Sequence, residues 1–426
     1  MRRSMKLFSA AVLGAILGLE SAVLPYSTVL ASQPTTYRAF EVGPGLDNLS
    51  AADEMADYQW ALKNNGRIRR TQKYLNIDSL DSIYVHRDEN GAVDQVALPP
   101  IGPGNFATSS TDAVAGIDIN IQPAWKQYDA LEQKREIIVA VIDTGIDITH
   151  PDLKDAIWVN SDEIAGDGID NDGNGYVDDV NGWNFFDNNN SVYTGSDDNH
   201  GTHGAGTIAA TRGNGGIAGI SDNTYVKIMP IKALGTSEGK GDTQAVLDAI
   251  HYAQANGASI CNLSFGSTHS DETIAKAIKD SKMLFVVAAG NGDANSVGYD
   301  IDKNAVFPAS LPYDNVLTVA NLMFDGNLDE SSNFGVQSVD LAAPGVYILS
   351  TCADGKYAYM SGTSMAAPMV TGAAALLYSA TPTATLSQVK NAILSSVHPL
   401  DTLSGKVLTG GMLDVDAALR ALLGTK

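Results

Sequence analysis

Ile137-Ile138-Val139-Ala140-Val141-Ile142-Asp143-Thr144-Gly145 is a short apolar run, mostly β-branched, that stops on a carboxylate. So uniform a run reads as a strand buried on both faces. Similar runs recur at Val226–Ile231, Ser259–Leu263, Met283–Ala288, Val316–Ala320 and Val339–Ala342. Helical patterns, such as Thr243–Ala255 and Glu272–Asp280, lie between several of them. This alternation predicts an α/β fold: a three-layer sandwich with a mainly parallel central sheet flanked by helices. Ligands of such sheets gather beyond the carboxyl ends of the strands. Asp143 ends its strand, and Ser264 and Asn291 follow theirs, so the pattern places all three at one edge.

The 426-residue chain has room for one large α/β domain with an N-terminal appendage, or for two ordinary domains. Its 49 acidic and 27 basic residues give a net charge of −22, which argues against nucleic-acid or anionic-membrane partners. Residues 1–31 read as a signal peptide: Arg2, Arg3 and Lys6 precede an apolar run, and Val29-Leu30-Ala31 suits cleavage. A retained membrane anchor is the weaker reading, because Glu20 interrupts the run well short of a spanning length. The chain is therefore expected to be secreted, without stable membrane association. Residues 32–115 read as an N-terminal extension, a possible propeptide plus a linker at 99–104; the main domain covers 116–424. Within the extension, Arg67-Ile68-Arg69-Arg70 is either a processing site or a solvated turn. The two cysteines, Cys261 and Cys352, sit in apolar surroundings and are expected to be buried free thiols.

Two further glycine-rich blocks carry one reactive residue each. They are His200-Gly201-Thr202-His203-Gly204-Ala205-Gly206-Thr207 and Gly362-Thr363-Ser364-Met365-Ala366-Ala367-Pro368. With Asp143 they give the order Asp, His, Ser, one of the orders in which a Ser-His-Asp triad assembles on unrelated folds. Met365–Tyr378 is apolar nearly all round, so it reads as a buried helix with Ser364 at its N-terminus. Backbone N–H groups and the positive dipole end there suit a developing oxyanion. Thr363 is the expected cap, and Pro368, about a turn in, removes one backbone donor. A histidine can take the serine proton and return it near neutral pH, and Asp143 would orient it. Asn291, after Ala288-Ala289-Gly290, is placed to donate its amide N–H to a tetrahedral intermediate. Each residue alone has a plainer reading: a packed serine, a helix cap, an Asn-Gly turn. His200 and His203 as metal ligands would lack an HExxH pattern and a third ligand.

Together these blocks resemble those of the subtilisin-like serine peptidases, the subtilases, over residues 116–424. The resemblance implies a serine endopeptidase working through an acyl-enzyme, with Asp143, His200 and Ser364 as the triad and Asn291 in the oxyanion hole. Ser264-Phe265-Gly266 is similar to the family's substrate-binding strand, and Gly239-Lys240-Gly241 resembles the strand opposite. A protein or peptide substrate would lie between them as an extended strand. Ala288-Ala289-Gly290 would line an open, apolar pocket for the residue before the scissile bond, with Phe265 and Tyr299 narrowing it. Were the enzyme a processing peptidase for a dedicated precursor, Asp242 would favour basic flanks. Two features depart from the family pattern. Tyr58-Gln59-Trp60-Ala61-Leu62 resembles the element that opens the mature domain, yet a long insertion separates it from Pro123-Ala124-Trp125, and no compact inhibitory prodomain is recognisable. In the loop Thr211–Ala218, Gly213 stands where a calcium-ligating Asn is common, although Asp152 resembles a ligand of that site.

Residues 167–179 add a second signal. Asp170, Asp172 and Asn174 at alternate positions, then Gly175, form the first half of an EF-hand-like loop. The Tyr176 carbonyl and Asp178 or Asp179 could complete the shell, while Asn181 stands where a bidentate Glu would be. Structural Ca2+ is expected there, with no organic cofactor; an Asx-rich solvated turn is the alternative. The chain is expected to act as a monomer. A catalytically silent, calcium-stabilised binding module is the competing class, and the presence of every triad member with Asn291 counts against it.

Overall fold

The computed structural model describes residue 53 and residues 55–66, 113–235, 239–293 and 295–425. It adds the backbone of short strands at 7–9, 40–41, 69–71, 81–87, 93–97 and 110–112. The leader apart from that backbone, its cleavage region, the side chains of 67–70 and the linker 99–104 lie outside the described residues.

Among the described residues nine strands form the central sheet. Their order is His398–Pro399, Gly411–Met412, Leu341–Pro344, Val316–Leu322, Leu284–Ala288, Ile260–Leu263, Ile137–Asp143, Val226–Lys232 and Trp183–Asn184. Every neighbouring pair is parallel except the first. Ile137–Asp143 is where the order reverses: the chain next adds strands on one side of it, then crosses to Ile260–Leu263 on the other. A crevice opens at such a switch point, at the carboxyl ends of the strands.

Alternation along each strand explains the three layers. Val139 and Val141 pack with Val286 and Val319 in one core, which contains the helix Thr363–Ala380. Ala140 and Ile142 point the other way, with Val287 and Ile231, into a core shared with Thr243–Ala255 and Glu272–Asp280. Thr363–Ala380 is buried along its whole length, beneath Leu386–Ser395 and Val415–Leu423 and beside Asn199–Ala209, which is why no face of it is polar. No described helix is long and apolar enough to cross a membrane.

The segment 55–62 joins the same core as Ser364's helix. Trp60 donates its indole N–H to the Val346 carbonyl at 2.8 Å and meets Phe324 edge-on. Gln59 brackets Ala218, donating to its carbonyl at 3.0 Å and accepting its N–H at 2.8 Å. Cys261 and Cys352 are buried and free, as expected, and burial pushes the Cys352 thiol up to about 12.

Candidate active site

Asp143 closes its strand at the switch point, and His200 opens the helix Asn199–Ala209 that packs against the helix of Ser364. His200 Nδ1 lies 2.7 Å from Asp143 Oδ1, which also accepts the Thr144 N–H at 2.7 Å. The imidazole Nε2 is buried and has no hydrogen-bond partner among the described residues. Burial by itself depresses the His200 pKa, but the charge of Asp143 and its hydrogen bond outweigh it, and the net shift is upward. His203, three residues on, faces no carboxylate. Its Nε2 sits 2.8 Å from the Ile348 carbonyl, and burial holds its pKa down at about 3, so it stays neutral.

Ser364 stands in the first turn of its helix. Pro368 has no N–H for the Ser364 carbonyl, and the Ser264 hydroxyl takes that place at 3.1 Å. In return Ser364 Oγ donates to the Ser264 carbonyl at 2.9 Å. Ser364 is thus docked on the predicted substrate strand, and no bond to His200 is formed in this arrangement. Catalytic hydrogen bonds are often loose without substrate.

The predicted cap is corrected by the structure. Gly362 is the N-cap residue, and Thr363, already helical, turns its hydroxyl onto Asn291. Asn291 Oδ1 accepts both the N–H and the hydroxyl of Thr363, each at 2.8 Å. With the oxygen so engaged, Nδ2 faces Gly362, where a Cβ would stand only 2.8 Å away. Glycine at that position leaves the amide room.

Ser264 and Gly266, and Ala288, Ala289 and Gly290, flank this crevice at the ends of adjacent strands. The Phe265 side chain is buried in the core that also holds Ala289, one of the expected pocket residues. Tyr299 is half-buried against that core. Lys240–Asp242 forms an edge strand, preceded by Gly239, and pairs antiparallel with the backbone of Leu7–Ser9, Phe8 opposite Gly241. Asp242 also caps the next helix, its Oδ1 accepting the Ala245 N–H at 2.7 Å.

The acidic loop gathers differently from its sequence pattern. Asp170 and Asp172 converge with Glu163, one oxygen from each lying within 4.8 Å of the others. Glu163 lies upstream of the motif and was not expected; it accepts backbone N–H groups of Asn171, Asp172 and Asp178. Hydrogen bonds from Gly175, Gly173 and Asn174 hold the Asp170 carboxyl below its usual range. Asn174 turns Oδ1 to the Tyr176 N–H. Asp178 faces away, accepting N–H groups of Gly166, Asp167 and Gly168. Asp179 is buried, held by Asn160, Asn174 and Tyr252. Asp152 belongs to a separate place, beneath the loop 211–218, where Oδ2 accepts the Ile217 N–H and Oδ1 is unpartnered among the described residues. Asp53 takes the N–H groups of Gly213, Asn214 and Gly215.

The profile of the subtilase family matches residues 134–414. Subtilisin-like protease 1 of Plasmodium berghei is 35% identical over 305 residues, covering 68% of this chain and 50% of that protein. A thermophilic serine proteinase of Bacillus sp. (strain AK1) is 34% identical over 326 residues, or 75% of this chain and 71% of its own length. The major intracellular serine protease of Bacillus subtilis is 38% identical over 249 residues, 58% of this chain and 69% of that one. The chain thus spans about half the length of the Plasmodium relative. A solved protease of Pseudoalteromonas arctica superposes with a TM-score of 0.55 at 25% identity, covering 72% of this chain and 94% of that one. The profile takes in Asp143, His200 and Ser364 alike, and this chain belongs to the subtilase family.

Proposed function

We propose that the chain is a secreted serine endopeptidase that hydrolyses extended polypeptides through an acyl-enzyme. The observation that carries it is the His200–Asp143 contact at 2.7 Å, which leaves a buried Nε2, unpartnered among the described residues, on the helix packed against that of Ser364. With Nδ1–H donated to Asp143, Nε2 carries the lone pair and is the base. Ser364 Oγ releases the Ser264 carbonyl, passes its proton to Nε2 and attacks the scissile carbonyl carbon. The oxyanion accepts hydrogen bonds from Asn291 Nδ2 and the Ser364 N–H. Collapse breaks the C–N bond, and His200 returns the proton to the leaving amine. Water then repeats the sequence on the acyl-Ser364 ester, releasing acid and free serine. Pairing of the Lys240–Asp242 edge with an extended segment supports substrate binding by β-strand addition. Secretion rests on the leader pattern of residues 1–31, and a peptidase body over 116–424 is joined by the packed residues 55–62.

A serine-directed phosphonylating probe tests the reading: the mature protein should be labelled at Ser364 and lose cleavage of unfolded casein in parallel. Active protein left unlabelled there would end it. Asn291→Leu removes one oxyanion donor, and kcat on a peptide substrate is expected to fall about 10²–10³-fold with KM nearly unchanged. A raised KM with kcat unchanged would show that Asn291 only contributes uniform binding of substrate.

The carboxylates of Glu163, Asp170 and Asp172 are a donor set that fits a hard cation. Ca2+ there would neutralise the acidic loop and order it. Chelation is expected to lower the melting temperature and speed autolysis without altering initial kcat; unchanged stability and autolysis would refute this role.

A further inference from the structure

We infer that the buried Lys232–Asp198 ion pair is a positioning device that holds Asp143 and His200 in register through Thr144. It rests on the triad reading above. Lys232 ends its strand directly opposite Asp143 in the sheet register, so its ammonium emerges at the catalytic edge. Its side chain is 2% exposed and that of Asp198 0%, with Nζ 2.6 Å from Asp198 Oδ1. Asp198 occupies the N-cap position of His200's helix, where an Asp normally accepts a helix N–H, yet it makes no such bond. Its carboxylate goes instead to Lys232 and to the N–H and hydroxyl of Thr194. Burial lifts the Asp198 pKa, and Lys232 and Thr194 oppose that rise.

Thr144 joins the two catalytic residues with all three of its polar groups. Its N–H orients Asp143 Oδ1 at 2.7 Å. Its hydroxyl accepts the N–H of Gly201, next to His200, at 3.1 Å. Its carbonyl accepts from Lys232 Nζ. The ion pair therefore closes a ring: Lys232 holds the turn after Asp143, and Asp198 holds the start of His200's helix. A packed apolar pair would stabilise the fold as well as a buried ion pair does. Fixing a donor and acceptor to within a fraction of an ångström is a task for directional bonds.

The elements packed on the helix of His200 carry Asp143, Asp197, Asp198, Lys227, Lys232, Cys352 and Tyr378, with His203 on its own helix. Among the described residues only Asp143 makes a hydrogen bond to the imidazole. Loosening the ring should therefore act on His200 through that one contact.

The test is the double variant Lys232→Met/Asp198→Leu, which removes both charges and leaves neither buried alone. With kcat counted per phosphonylated Ser364, a fall of about 10²-fold is expected at unchanged KM. The acid limb of kcat/KM should move to lower pH as the hold of Asp143 on His200 weakens. Asp198→Asn, which keeps an oxygen for Lys232, should retain the wild-type limb. Should the double variant fold poorly, Lys232→Leu/Asp198→Val, a neutral pair with smaller side chains, supplies the same comparison per titrated site. Wild-type kcat and limb in folded variant protein would overturn the inference while leaving the triad intact. A wild type that neither cleaves nor labels would overturn the triad and, with it, this role.

Discussion

Ser364→Ala is expected to lower kcat by about 10⁶-fold, or about 8 kcal/mol of transition-state stabilisation. Loss of the hydroxyl removes the attacking atom, and His200 is then a base with nothing to deprotonate. Residual hydrolysis of roughly 10³–10⁴ over water would remain, supplied by the oxyanion donors and substrate binding. The fold should survive. Among the described residues Ser364 Oγ bonds to the Ser264 carbonyl alone, and a hydrogen bond of that kind contributes about 1 kcal/mol. Steady-state kinetics, phosphonate labelling and a thermal melt on the same preparation separate these effects. A variant that kept more than a hundredth of wild-type kcat would remove Ser364 from the nucleophile's role.

Asp143→Asn should cost about 10⁴-fold in kcat while leaving the packing nearly unchanged. An amide can donate to His200 Nδ1, which forces the tautomer whose Nε2 carries the proton and cannot act as base. The pH profile should change as well. In the wild type the charge and hydrogen bond of Asp143 raise the His200 pKa against burial. Catalysis needs the neutral imidazole, so kcat/KM falls as pH drops through that raised value. Without the carboxylate, burial alone remains, and the limb should move below the ordinary imidazole value of about 6.5. Stability follows the opposite limb. A raised pKa contributes stability that is present below the unfolded value and lost as pH rises through the folded one. The variant's stability deficit should therefore be largest in acid and shrink above neutrality. A pH–rate profile and denaturant titrations at several pH values check both signs.

These two residues also show how far a linear reading reaches. Asp143, His200 and Ser364 were legible because each lies at the end of a local pattern, an apolar strand or a small-residue helix, that needs no knowledge of distant neighbours. Why His200 and not His203 is the proposed base is a tertiary matter. Both lie on one helix, but only His200 meets a carboxylate, while His203 is sealed against the Ile348 carbonyl and held neutral. Thr363 was read as a cap from its place before an apolar run, yet Asn291, 72 positions away, draws its hydroxyl off the helix end.

The acidic loop divides in the same way. Its spacing singled out Asp170 and Asp172, but Glu163 joined them from outside the motif, and Asp178 was drawn onto the backbone of 166–168. Period and composition are properties of neighbours along the chain, so they settle strands, helices, layers and the edge at which reactive groups emerge. Which oxygen faces which donor is settled by segments that meet only after folding. The Lys232–Asp198 pair is the clearest instance. Two ordinary charges, 34 positions apart, become a brace under the catalytic residues only because the sheet sets Lys232 opposite Asp143.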